Sequence, residues 1–390
     1  LSSSSAASDV YKSKHYVRKK KGTLRLVNNL RGVNSQIKHP IYPSPTPRSA
    51  VSNIPSDAKW FSVTDMASGY WQVELDEDSQ LLTTFVTPWG RFVYTRTTMG
   101  LSLAGDTFNQ RTDDAFEECR AFISKIVDDL LIFAPTRALC IERTEAVFAA
   151  AAKAGIKLSW EKTVIAQPVV DFAGWTISEE GVSANKKMLQ ALQEFPTPKD
   201  KTELRSFFGL AEQLAIFTDQ KATMIGPLKF LLKKEQSWFW DGSLQTAFEE
   251  ARRQLSIPSK LAYYDPTKEL ELHSDASRLN GMGFILMQLE SDGTKRVLEA
   301  GSRVCSNAET RYSIPELELD GVVFEYAEVE VVPEGKVLWI IVHYWELFQS
   351  RWLSTLTPGL LIFAVRSLTS RSRHNGRPVA RINWQATAWR

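Results

Sequence analysis

Short apolar runs, broken by Gly and Pro, dominate the first two thirds of the chain. Residues 23–27 read as a strand after the Lys21-Gly22 turn. Residues 60–63 read as another, with Asp65 at its end and Ser68-Gly69 breaking the chain just beyond. Five prolines within 38–58 predict extended loop. Residues 82–87 and 91–97 flank Pro88-Trp89-Gly90 as the arms of a hairpin. A helix is expected over 104–119. Two mostly apolar strands, 122–127 and 130–134, are then joined by Asp128-Asp129. An Ala-rich helix over 141–154 stops at Gly155.

Farther on, the 3.6-residue period takes over. Asp200-Lys-Thr-Glu203 is a capping box before a helix with Leu204, Phe207, Phe208, Ala211 and Leu214 on its apolar face. A second amphipathic helix covers 244–255. A new unit opens near Leu261, with strands at 269–273 and 281–287 around Asp275 and a helix over 315–326. Beyond about Ala327 no sustained helical or strand period is visible, and no internal repeat occurs anywhere.

The 390 residues leave room for two or three domains, and 43% hydrophobic with 24% charged residues excludes a disordered or fibrous chain. Cys119, Cys140 and Cys305 stand far apart, which excludes a disulfide framework, and no Cys/His group has zinc spacing. The longest uncharged apolar stretch, residues 352–365, is too short for a bilayer, which needs about 20 residues. With no signal-peptide core at the start, the expectation is an intracellular protein in a reducing compartment, cytoplasmic or nuclear, without a membrane partner.

Charge sharpens the picture. Residues 1–55 hold ten Lys/Arg and one acid, Asp9, with Arg18, Lys19, Lys20 and Lys21 consecutive. Such a run suits a polyphosphate, whose counterions are released on contact, or equally a solvated terminal arm or localisation signal. The Asp128-Asp129 pair alone reads as readily as a polar turn. Sealed between two apolar strands, however, both acids fall at the rim of a buried sheet. Neighbouring carboxylates repel unless a cation neutralises them or one stays protonated. Oxygen ligands suit Mg²⁺, and Asp65 at another strand end would complete a two-metal site for in-line displacement by a 3′-hydroxyl.

The stretch Phe61-Ser-Val-Thr-Asp65-Met-Ala-Ser-Gly69-Tyr70-Trp-Gln72 resembles the first catalytic motif of reverse transcriptases from gypsy-type long-terminal-repeat retrotransposons. Arg25-Leu-Val-Asn-Asn-Leu-Arg31-Gly-Val-Asn34 resembles the motif ahead of it. In the family's order follow Thr84-Phe85-Val86-Thr87-Pro88-Trp89-Gly90, Met99-Gly100-Leu101 with Phe108, Val127-Asp128-Asp129 and Phe172-Ala173-Gly174-Trp175. The resemblance spans residues 17–327, and six motifs in one order are far more specific than any one. It implies a metal-binding triad of Asp65, Asp128 and Asp129. It implies that Tyr70 is a steric gate against ribonucleotides, that Lys20 and Arg25 hold the triphosphate, and that Gly100 lets backbone approach the nucleotide or template. Phe172, Gly174 and Trp175 would form the primer grip. Two positions depart from the pattern: Ile126 replaces an aromatic residue, and Ala104-Gly105 replaces Ala-Pro. Reduced activity rather than a lost fold is expected from them.

Leu272-His273-Ser274-Asp275-Ala276-Ser277, with Gly281-Met-Gly283, Gln288, Ser302-Arg303 and Tyr312-Ser-Ile-Pro-Glu316-Leu-Glu318-Leu-Asp-Gly321, resembles the opening of the RNase H domain of the same polyproteins. It implies metal ligation by Asp275 and Glu318, with Glu316 the alternative. The family then requires a further strand with a third Asp, but no Asp follows Asp320. Residues 347–390 hold seven Arg and neither Lys nor acid, and five of the twelve Trp lie after 327. Residues 328–390 are therefore expected to be an aberrant, non-homologous tail, out of frame or wrongly spliced.

Residues 1–14, Ser-rich and without periodicity, are expected to be disordered. The resemblance implies an α+β right hand, with fingers and palm over 15–185, thumb and connection over 186–258, and a partial RNase H-like domain over 259–327. The expected function is RNA- and DNA-templated DNA synthesis on a primed template or RNA–DNA hybrid, using dNTPs and two Mg²⁺ ions, with RNase H activity lost. The alternatives are a catalytically dead remnant that only binds nucleic acid and, far behind, a bare nuclease. With neither a protease motif nor an integrase-like zinc site, the chain is at most a fragment of such a polyprotein.

Overall fold

The computed structural model describes the chain except residues 1–13, 19–23, 39–41, 43, 218–220, 258–259, 279–280, 314–315, 318–319, 322–323, 325–337, 343–360, 375–376 and 387–390. Over 14–18, 24–28, 215, 221–223, 338–342, 361–374 and 377–386 only the backbone is described. The segment expected to be disordered, 1–14, lies almost wholly outside the described residues. By contact the chain divides into two units, 1–50 with 59–170, and 51–58 with 171–390.

The first unit is built on a four-stranded antiparallel sheet in the order Ile123–Ile126, Asp129–Ala134, Trp60–Asp65, Val164–Gln167. The two central strands read WFSVTD and DLLIFA, and Leu130 to Ala134 are all buried. Side chains on both faces of these strands need cover, which near-continuous apolar sequence satisfies. Met66, Phe108, Phe116, Leu130, Ile132 and Val147 fill one cluster, and Ala134, Cys140 and Ala166 another. The Arg137–Lys153 helix starts four residues earlier than the apolar period predicts, because Thr136 caps it by accepting from Leu139 N at 3.3 Å.

Three local expectations change. The proline-rich loop contains a helix, Pro47–Ser52, because proline is tolerated at the first helical position. The first hairpin arm begins as a helix, Glu77–Leu82, capped by Asp76 with Glu77 and Asp78 in its first turn, leaving only Phe85–Thr87 and Gly90–Phe92 paired. The helix expected to Cys119 ends at Ala115 and continues as a 3₁₀ segment, Glu117–Phe122.

In the second unit, Lys201–Leu214 and Gly242–Leu255 pack with Lys186–Gln193 around Leu192, Leu204, Phe207, Leu228 and Phe248. The Phe207 and Phe248 rings lie 4.9 Å apart. A larger sheet runs in the order Lys295–Arg303, Gly281–Leu289, Leu270–Ser277, Leu338–Val342, Leu361–His374, Arg377–Ala386. The first three strands are antiparallel, and Leu338–Val342 joins Leu270–Ser277 in parallel. Strand backbone thus occurs after 327, where the sequence shows no sustained period. The run LWIIV has no alternation to read, yet an uninterrupted apolar run is what a strand flanked on both sides requires. The helix expected over 315–326 falls mostly outside the described residues, with helical backbone at 316–317, 320–321 and 324.

Candidate active site

Tight pairing of two neighbouring strands dictates where the paired acids sit. Ile126 is the register partner of Asp129, so Val127 and Asp128 are the whole of the turn. Val127 has φ +54°, on the first turn residue, as a II′ hairpin requires. For a β-branched residue that region is sterically poor and costs on the order of 1–3 kcal/mol. The strand register bears that cost and sets the two acids at the end of the sheet. There the Asp128 carbonyl accepts from Met66 N at 2.8 Å.

Asp65 is the register partner of Asp129 on the adjoining strand. Cβ atoms of such partners lie about 4.5–5.5 Å apart. Thus Asp65, Asp128 and Asp129 share one sheet end although 62 residues of chain lie between the first and the pair. Asp65 is buried, and its Oδ2 accepts from Lys162 Nζ at 2.6 Å. The Asp129 carboxyl is pushed up to about 6, first by burial, then by the charges of Asp128 and Asp65, with Lys162 opposing and a hydrogen bond to Asp65 adding to the rise. Lys162 is pushed up in turn, mainly by its bond to Asp65.

Among the described residues no three Asp, Glu, His or Cys side chains are gathered as a finished cation site. The Asp65 carboxylate is taken by an ammonium instead. The donor set still fits a hard divalent cation. It is all oxygen, and its charge is so concentrated that the Asp129 carboxyl gives up its proton only at about 6.

Tyr70 lies on a 3₁₀ turn, Gly69–Gln72, beside this cluster. Its hydroxyl is raised by burial and then by the Asp128 charge. Its ring meets Phe108 edge-on, with centroids 5.9 Å apart at 83°. Gly69 is required there, because a Cβ would come within 2.8 Å of Phe108 Cζ. Gly100 has φ +103°. Its carbonyl accepts from Asn34 Nδ2 at 2.9 Å, while Asn34 Oδ1 accepts from Ser102 N at 3.0 Å.

Arg25 pairs through its backbone with Val17 in a two-stranded ribbon, and its side chain lies outside the described residues, as does Lys20 altogether. Phe172 and Trp175, in the second unit, are buried on either side of the Ala173-Gly174 turn, whose residues have φ +52° and +88°. That is the I′ pattern of a tight hairpin. Sequence reading missed Lys162, Asn34 and Gln72. Gln72 Nε2 donates to Ala67 O at 2.6 Å, and its Oε1 accepts from Lys157 N at 2.7 Å. Asn34 and Gln72 stand inside the quoted motifs, but their roles, and Lys162 altogether, depend on partners 66 to 97 positions away that no local pattern reveals.

Asp275 is exposed on Leu270–Ser277, opposite Gly283. Glu316 is engaged locally, accepting from Ser313 N and Oγ, each at 2.8 Å. Glu318 lies outside the described residues. The neighbouring parallel strand, Leu338–Val342, carries no acid.

Residues 17–177 match the family described as "Reverse transcriptase (RNA-dependent DNA polymerase)". Residues 240–336 match the "RNase H-like domain found in reverse transcriptase". The chain is 28% identical over 340 residues to the Pol polyprotein of transposon gypsy from Drosophila melanogaster, covering 82% of this chain and 32% of that protein. It is 29% identical over 301 residues to that of transposon 412 from the same species, covering 76% and 24%. Against the Tf2-3 polyprotein of Schizosaccharomyces pombe it is 26% identical over 309 residues, covering 79% and 23%. The chain thus spans a third or less of these relatives. Among solved structures, the foamy viral protease-reverse transcriptase with an RNA/DNA hybrid superposes with TM-score 0.73 at 22% identity, covering 82% of this chain and 43% of that one. The same protein with dsDNA gives 0.74 at 21%, covering 88% and 71%. At that identity the likeness concerns the fold.

Proposed function

We propose that this chain, with its reverse transcriptase and RNase H-like family matches and its likeness to gypsy-type retrotransposon Pol polyproteins, carries out template-directed DNA synthesis with its first unit, extending a primer with dNTPs on RNA or DNA. One observation carries the reading: Asp65 and Asp129 are cross-strand partners with Asp128 in the adjoining two-residue turn. Reverse transcriptases generally use divalent metal ions, and the three carboxylates would hold Mg²⁺. The bound ion would supply Lewis-acid stabilisation of the attacking primer 3′-hydroxyl and of the leaving pyrophosphate.

The chain's own groups do the rest. The Tyr70 ring, braced by Phe108, excludes a ribose 2′-hydroxyl by bulk. Lys20 and Arg25 hold the triphosphate, Arg25 with the fork that fits phosphate oxygens. Asn34 fixes the backbone around Gly100. Phe172, Gly174 and Trp175 hold the primer strand. Contacts to the duplex are largely to backbone, since a copying enzyme accepts any sequence, and affinity falls with salt.

Primer extension on a primed RNA template tests the reading. The wild type incorporates dNTPs, and Asp128→Asn does not while still binding the hybrid. Wild-type binding without incorporation would instead support a remnant that only holds nucleic acid, the reading that Ile126 favours. RNase H activity is absent on this proposal, because the strand paired with the Asp275 strand supplies no third acid. Hybrid degradation in Mg²⁺ that is lost with Asp275→Asn would overturn that part.

A further inference from the structure

We infer that Lys162 is the built-in counter-ion of the cation site: its ammonium occupies Asp65 while no metal is bound and must leave that carboxylate for a divalent cation to enter. The inference rests on the reading of Asp65, Asp128 and Asp129 as that site.

The placement of Lys162 is built into the fold. It ends a 3₁₀ turn, Trp160–Lys162, fastened to the Asp65 strand on both sides. Ser159 N donates to the Asp65 carbonyl at 2.7 Å before the turn. After it, the Thr163 and Thr64 hydroxyls are hydrogen-bonded at 2.8 Å, and Thr163 Oγ1 also donates to Ser159 O at 2.8 Å. The lysine stem therefore starts from a fixed point beside Asp65, and its Nζ reaches Oδ2 at 2.6 Å.

The two partners differ in their surroundings. The Asp65 side chain is 12% exposed and that of Lys162 is 63% exposed. A buried carboxylate beside two other acids stays ionised only with a positive charge close by. The ammonium can supply it, and can also swing into water on its flexible stem when a stronger cation arrives. Binding of the cation and pairing of Lys162 are then mutually exclusive at one oxygen, so each weakens the other by the same factor.

The test is direct Mg²⁺ and Mn²⁺ binding to the full chain without nucleic acid, by calorimetry and by Mn²⁺ paramagnetic resonance. Lys162→Met should bind about tenfold tighter, as a charge competing for the buried Asp65 carboxylate is removed. Lys162→Gln is the second variant should Met disturb folding, with the same expectation. Lys162→Arg, which keeps the charge, should stay close to wild type. Unchanged or weaker binding in both neutral variants would overturn the inference, as it would if Lys162 only organised the turn or only touched the nucleotide. Asp65→Asn, run alongside, separates the two levels. If it leaves cation affinity intact, the metal-site reading fails. If it weakens binding while the Lys162 variants change nothing, only the counter-ion role fails.

Discussion

The carboxyl group that this site destabilises most visibly is Asp129, and removing its charge should make the metal-free protein more stable. In the unfolded chain it titrates near 3.8, and in the folded one at about 6. At about 1.36 kcal/mol per tenfold, the difference corresponds to roughly 3 kcal/mol. Partial hydration at the open sheet end reduces this to the order of 1–3 kcal/mol. The sign follows from proton binding. Below pH 3.8 Asp129 is neutral in both states, and the fold carries no penalty. As pH rises through about 6 the folded group must ionise against Asp128 and Asp65, and stability is lost. Asp129→Asn should therefore match the wild type near pH 3.5 and exceed it at pH 8 in EDTA. Native-state amide exchange of the Asp129–Ala134 and Trp60–Asp65 strands measures this within the unit concerned. Saturating Mg²⁺ should narrow the gap, because only the wild type gains binding energy. An Asn variant no more stable than wild type at pH 8, or a gap independent of pH, would refute the account of Asp129.

Gly69→Ala should cost about 1–3 kcal/mol, because its Cβ meets Phe108 Cζ at 2.8 Å, and Phe108→Leu in the same chain should restore part of it in urea unfolding. The buried Lys125 ammonium bonds Thr112 Oγ1 and pairs with Asp113 at 2.7 Å, while Tyr42 donates to the other Asp113 oxygen. Asp113→Asn leaves that charge uncompensated and should cost on the order of 3 kcal/mol, whereas Lys125→Met should cost under about 1 kcal/mol because Asp113 retains access to water. Thermal unfolding that ranks the two the other way would contradict this asymmetry. Val127→Gly should relieve about 1 kcal/mol of backbone strain and lower primer extension by loosening the turn, read as a higher melting temperature with reduced incorporation.

Local chemistry wrote much of this molecule openly. The Trp60–Asp65 and Asp129–Ala134 strands follow from β-branched and aromatic runs, and the two acids between apolar arms already imply a hairpin with carboxylates at its tip. The helix after Asp200 begins where its capping box says: Asp200 Oδ1 accepts from Glu203 N at 2.8 Å. Motif order along the chain pointed to the triad itself. What no window of sequence holds is the relation between distant segments. The cross-strand register that makes Asp65 the partner of Asp129, the reach of Lys162 across 97 positions to Asp65, and the joining of Leu338–Val342 to the Asp275 strand all arise from sheet assembly. Periodicity reports which face of an element is apolar. Which neighbour covers that face, and which charges are thereby crowded together away from water, is settled only when the sheets close.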